Sequence, residues 1–146
     1  MHFVTGGAFN GKASWVKEYY RLEERTDFQW ISAYRGDGNP DVIDSIKGRL
    51  LILEGIEKWV KDVWIEHDIT LYREGWKNRL KQWYIWENAQ PDRRLVIIGT
   101  DITKGIVPME AGDREWRDAT GWAYQEAAAA AKRVDLIWYG IHQRIK

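Results

Sequence analysis

The chain has 146 residues, enough to bury a core in one domain spanning 1–146, and its 22 lysines and arginines are matched by 22 acidic residues, so no charge excess points to nucleic acid or an anionic membrane. Cysteine is absent, which excludes disulfides, thiolate nucleophiles and thiolate metal sites and fits a reducing compartment. The longest apolar runs, Leu50 to Leu53 and Leu95 to Ile98, are too short to span a bilayer, and Gly-rich sequence from Gly6 leaves no room for a signal peptide's apolar stretch, so a cytoplasmic location with no membrane partner is expected.

Strand and helix patterns alternate, which predicts a mostly parallel sheet with helices on its faces. His2 to Thr5 reads as a short strand running into the glycines, and Lys12 to about Glu24 as a helix with Trp15, Val16 and Tyr19 on one side. Phe28 to Tyr34 is aromatic and β-branched, hence a strand. Arg35 to Asp41 is a loop; its Asp37, Asn39 and Asp41 lack the glycine and distal glutamate of a calcium loop, which leaves a turn. Arg49 to Glu54 is an apolar strand ending in a carboxylate. Ile56, Trp59, Val60, Val63, Trp64 and His67 follow at helical spacing, placing Glu57, Lys58, Lys61, Asp62 and Glu66 on the solvent side. A second helix is expected from near Leu71 to Asn88, closed by Pro91. Then come a strand from Arg94 to Thr100, a loop around Gly105 to Asp113, a helix from Asp113 to Lys132 and a last strand from Val134 to Gly140.

The stretch "VTGGAFNGKASW" (4–15) carries the most chemistry. Gly6, Gly11 and Lys12 fit G-x-x-x-x-G-K, but Ala13 stands where serine or threonine is required. Glycines let successive backbone N–H groups face phosphate oxygens without Cβ clashes, and the following helix offers its positive end to the same anion. An ordinary Gly-rich strand–helix turn is the alternative; the lysine in register and both flanks favour phosphate binding through Gly6, Gly7, Ala8, Phe9, Asn10, Gly11, Lys12, Ala13 and Ser14. Ala13 removes the hydroxyl that ordinarily ligates Mg²⁺, and Ser14 points about 100° away around a helix. Water can fill that coordination position, so the expected cost falls on turnover more than on affinity. Glu54, at the end of its strand, is the matching carboxylate for Mg²⁺ or its water; a helix N-terminal glutamate is the alternative.

"IGTDITKGIVP" (98–108), "REWRDATGWAYQEAAAAA" (114–131) and "VDLIWYGIHQRIK" (134–146), with the glycine loop, resemble the bifunctional adenosylcobinamide kinase/adenosylcobinamide-phosphate guanylyltransferase family of cobalamin biosynthesis. The resemblance covers about half the chain, at both ends. It implies a three-layer P-loop NTPase-like α/β fold, GTP or ATP with Mg²⁺, a corrinoid substrate and a homotrimer. It implies that Ser32, Ala33 and Tyr34 help line the nucleotide site, and that Asp101 keeps a metal-binding carboxylate where the family has Asn-Glu.

Several positions depart from that pattern. The family's guanylyl transfer uses a histidine between the glycine loop and the carboxylate strand, followed closely by Arg-Pro. No histidine lies between Lys12 and Glu54, the interval looks shortened, and no Arg-Pro pair occurs. His2, His67 and His142 do not fit that motif and read as structural. Ala13 replaces the loop serine, and Tyr34 stands where the family has a small hydroxyl residue. Trp59, Trp64, Trp76, Trp83 and Trp86 could form an aromatic wall for a corrinoid, but their helical spacing favours core or interface packing. The expectation is a nucleotide-dependent cobinamide kinase, with Lys12 and Glu54 as catalytic residues and guanylyl transfer lost. The alternative is a degenerate homologue acting as a nucleotide-binding or oligomeric module.

Overall fold

The structure, a computed structural model, describes residues 1–40, 46–63 and 69–146. Asp41, Trp64, Glu66 and His67, singled out above, lie outside the described residues. Strands β1 (His2–Gly6), β2 (Phe28–Ser32), β3 (Leu50–Glu54), β4 (Arg94–Thr100), β5 (Arg133–Trp138) and β6 (Ile141–Arg144) form one six-stranded sheet in the order β2-β3-β4-β1-β5-β6. The first five are parallel and β6 pairs antiparallel with β5. Helices α1 (Lys12–Tyr19), α2 (Ile56–Val63), α3 (Ile69–Asn88) and α4 (Ala111–Ala130) complete the fold.

The strands are apolar on both faces because both faces are covered, as parallel sheets require. On β3, Leu51 and Leu53 join Phe3, Leu95, Ile97 and residues of α2, α3 and α4 in one core. Leu50 and Ile52 turn the other way, joining Val4, Val96, Ile98 and Ile137 beneath Val16 of α1. Each such leucine or isoleucine is worth about 1.5–3 kcal/mol when removed from water. Ala119, Ala123 and Ala127 recur every fourth residue along α4 and are fully buried, so the alanine-rich run brings that helix close to the sheet. At Gly99 a Cβ would lie 2.2 Å from the Tyr124 hydroxyl, which makes the absence of a side chain there a condition of that approach.

Four of the five clustered tryptophans are core, and the fifth, Trp64, lies outside the described residues. Trp59, Trp76, Trp83 and Trp86 are all buried in the α2–α4 core. Trp76 and Trp83 meet edge to face at 5.7 Å, and the Trp76 indole donates to the Ala123 carbonyl at 3.1 Å.

Element ends depart from the sequence reading where a local conformation intervenes. The helix expected to reach Glu24 stops at Tyr19, because Arg21 is left-handed (φ 49°), and a single 3₁₀ turn spans Leu22–Glu24. The strand expected through Tyr34 ends at Ser32, whose N–H donates to the Asp37 carboxylate at 2.8 Å, while Ala33–Arg35 forms another 3₁₀ turn. Asp37 is thus part of a turn, in accord with its loop composition. The last strand ends at Trp138 rather than running to Gly140. Tyr139 and Gly140 have φ of 49° and 79°, the two-residue hairpin geometry that launches β6.

Candidate functional site

The carboxyl ends of the parallel strands converge on one edge, where ligands bind in open α/β sheets. The register places Ser32 beside Glu54, Glu54 beside Ile98, and Gly6 beside Thr100. Immediately after β1 the chain loops through Gly7–Gly11 into α1. Gly6 has φ 148° and Gly11 φ 86°, and a Cβ at Gly6 would fall 2.2 Å from the Ile137 carbonyl oxygen. The loop is tied to the β5–β6 turn from the other side. Tyr139 N–H donates to Asn10 Oδ1, and Gly140 N–H to the Asn10 carbonyl, both at 2.9 Å.

Lys12 is the first residue of α1 and is buried. Its Nζ folds back to donate to the carbonyls of Gly7 (2.7 Å) and Gly6 (3.2 Å). Burial lowers its pKa, against the opposing charges of Glu57, Glu54 and Asp101. The lysine therefore sits over its own loop within the field of three carboxylates.

A cavity of about 650 Å³ opens in front of this lysine. It is lined by the loop from Ala8 to Ser14 together with Tyr34, Glu54, Glu57 and Trp116. Glu54 is held by two donors on one oxygen, the Trp30 indole (2.9 Å) and the Ser32 hydroxyl (2.7 Å). Ser32 thus acts one step behind the cavity wall, and Ala33 packs against the core; neither lines the cavity. Gly6 and Gly7 shape the loop from behind and supply the carbonyls that hold Lys12. Asp101 donates its backbone N–H to the Gly6 carbonyl at 2.9 Å. Its carboxylate turns into its own loop, accepting from Thr103 N–H (3.0 Å) and Oγ1 (2.6 Å) and pairing with Lys104 at 3.6 Å. The structure does not bring it to the cavity wall with Glu54. Among the described residues no group of three potential metal-ligating side chains occurs.

Glu57 corrects the sequence reading, which set it on the solvent side of its helix. It is 3% exposed. Its carboxylate accepts from the Tyr34 hydroxyl, from the Tyr124 hydroxyl (3.0 Å) and from Thr100 N–H (3.0 Å). Its carbonyl accepts from the Trp116 indole at 2.6 Å. Helical spacing could not find it, because these partners arrive from the turn after β2, from the end of β4 and from α4. A buried carboxylate meeting three donors explains why a charged residue sits on that face. Burial first, then the bond to Glu57, raises the Tyr34 pKa, and burial with the Glu57 charge raises that of Tyr124. Both phenols therefore remain donors.

The histidines within the described residues stand apart from this cavity. His2 is buried, with Nε2 2.7 Å from Asp135 Oδ2 and Nδ1 2.7 Å from the Tyr20 hydroxyl. His142 is exposed on β6, its ring 5.1 Å from that of Trp15.

A three-layer α/β sheet with a glycine loop, a helix-opening lysine and a strand-end carboxylate on its carboxyl edge defines a P-loop-like fold. The family model for cobinamide kinase / cobinamide phosphate guanyltransferase (CobU) matches residues 23–145, and the chain belongs to that family. The match begins beyond the glycine loop, so the loop is read from its own geometry. No curated protein matches the chain. Among the described residues no helix is long and apolar enough to cross a membrane.

Proposed function

We propose that this chain is a nucleotide-dependent kinase for a cobinamide-like hydroxyl, acting in the cytoplasm, with guanylyl transfer lost. The observation that carries the reading is the cavity itself, which the loop, Lys12 and Glu54 line together. The triphosphate of ATP or GTP lies along Ala8–Ser14, where the backbone N–H groups and the start of α1 favour anions. Lys12 leaves the Gly6 and Gly7 carbonyls for phosphate oxygens and neutralises charge on the transferring group. The acceptor hydroxyl oxygen forms a bond to the γ-phosphorus as the bond to the β,γ-bridging oxygen breaks. The hydroxyl proton passes to Glu54, and the nucleoside diphosphate leaves.

Alternatively, Glu54 would hold Mg²⁺ or its water beside the nucleotide phosphates, where the ion would supply charge neutralisation; the carboxylate lining the cavity fits that role, while Ala13 offers no ligand. Exposed apolar side chains at Phe9, Ile106 and Met109, the last two 97% and 93% exposed, support burial in an oligomer, a trimer on the family pattern. Ala13 is also the observation that favours the second reading, a nucleotide-binding module without turnover.

Calorimetry with ATP and GTP, with and without Mg²⁺, tests binding, and mass spectrometry of adenosylcobinamide incubated with each nucleotide tests turnover. Binding that Lys12→Ala weakens at least tenfold, together with a phosphorylated corrinoid, is expected. No heat with either nucleotide refutes both readings, and binding without product leaves the module.

A further inference from the structure

Glu57 is not accounted for by phosphate binding or by the proton transfer assigned to Glu54. We propose that Glu57 is a positioning residue that fixes the aromatic wall formed by Tyr34 and Trp116, and that this wall seats the planar acceptor. The inference rests on the kinase reading above and extends it to the acceptor side of the cavity.

The argument begins with what Glu57 gathers. Its carboxylate and its carbonyl hold Tyr34 from the turn after β2, Trp116 and Tyr124 from α4, and the first N–H beyond the buried part of β4 at Thr100. Three elements distant in sequence are therefore set by one side chain and its own peptide group. Tyr34 is bound a second time, its hydroxyl 2.9 Å from Thr100 Oγ1. Its ring lies against the chain at Gly55, where φ is 85° and a Cβ would meet the ring at 3.3 Å. Lysines lie over both rings: Lys58, which also lines the cavity, has Nζ 5.2 Å from the Tyr34 centroid, and Lys61 Nζ is 4.4 Å from that of Trp116.

Tyr34 and Trp116 line the same cavity as the glycine loop. Phosphates take the loop, and on this inference Tyr34, which the family resemblance put in the nucleotide site, serves the group beyond the γ-phosphate instead. Rigid aromatic faces with the hydrogen-bonding ends already satisfied are suited to a flat conjugated partner, since they bind it with little loss of side-chain freedom. A buried carboxylate with three donors is a costly way to hold the phenols of Tyr34 and Tyr124, while the peptide carbonyl of the same residue holds Trp116. It is consistent with a wall whose placement matters to the reaction.

The test is calorimetric titration of adenosylcobinamide into the full chain preloaded with a non-hydrolysable ATP or GTP analogue, alongside nucleotide titration alone. Glu57→Ala is expected to weaken corrinoid binding at least tenfold while changing nucleotide affinity less than twofold. Glu57→Gln, which keeps an acceptor oxygen for one phenol, recovers most of that loss. Tyr34→Phe, which keeps the ring and loses its anchor, falls between, and it serves if Glu57→Ala does not fold. Unchanged corrinoid affinity in folded Glu57→Ala or Tyr34→Phe overturns the inference, as does a parallel loss of nucleotide affinity. Wild-type protein that binds nucleotide and no corrinoid overturns the kinase reading itself, a result visible before any variant is made.

Discussion

His2 offers a quantitative test of the structure through pH. Burial, against the bond and charge of Asp135, lowers its pKa from 6.5 to about 4, and Arg133 nearby works in the same direction as burial. The hydrogen bonds agree with a neutral ring: Nε2–H donates to Asp135, and Nδ1 accepts from Tyr20. The unfolded chain then binds a proton in the window between 6.5 and about 4 that the folded chain refuses. Stability is complete above that window and falls as pH drops through it. With those two values, linkage gives a loss of about 2 kcal/mol between pH 7 and pH 4.5, approaching about 3 kcal/mol below pH 4. Urea unfolding at pH 7, 5.5 and 4.5 measures it. His2→Gln is the matched control, since a glutamine amide can still donate to Asp135 and does not titrate. The expected result is a wild-type slope over this window steeper than that of His2→Gln by roughly the same 2 kcal/mol. Parallel slopes in the two proteins would refute the buried, neutral histidine.

Three further outcomes follow from the same structure. Ala13→Ser restores a hydroxyl in the cavity lining; it is expected to raise cobinamide phosphorylation by roughly a hundredfold while moving nucleotide affinity little, the behaviour of a contact made in the transition state, and product assays that stay flat would place the defect elsewhere. Labelled GTP incubated with the protein should leave no acid-labile nucleotide on the chain, and a covalent adduct on any histidine would restore the family's transfer route. Gly99→Ala drives a methyl group into the Tyr124 hydroxyl, displacing α4 or the Tyr124–Glu57 bond; a loss of about 2 kcal/mol or more in urea unfolding is expected for overpacking of this kind.

Much of the fold was legible because its signals are local. The apolar runs at Leu50 to Leu53 and Leu95 to Ile98 read as buried strands, and the small side chains of Ala127 to Ala131 suit a helix packed closely on a sheet. The hairpin at Tyr139–Gly140 was not legible, because tyrosine gives no sign that it will adopt a left-handed conformation; the constraint comes from Asn10, more than a hundred residues away. Glu57 was misplaced for a related reason. A charged residue one position from the apolar stripe reads as solvated, and the burial of its carboxylate depends on three donors that only the tertiary fold assembles. Asp101, which the family resemblance offers as a metal ligand, accepts from Thr103 two residues on, a local contact that resemblance to a family pattern does not reveal.

The parts kept and the parts lost at this site are unequal in what each chemistry demands. Phosphoryl transfer asks a protein mainly for positioning and for charge stabilisation, since little covalent chemistry falls to its side chains. Loop amides, a buried lysine whose carbonyl partners phosphates can replace, and a carboxylate oriented by Trp30 and Ser32 meet that demand even without the Ala13 hydroxyl. A covalent nucleotidyl route asks for a nucleophile with an accessible lone pair. His2 has both ring nitrogens engaged and is 5% exposed, while His142 lies on the outer strand against Trp15. On the proposed reading, the one site is weakened by a missing ligand that water can replace, whereas the other lacks a histidine in the interval between Lys12 and Glu54. That asymmetry is why the kinase half of the family's chemistry is the half assigned to this chain.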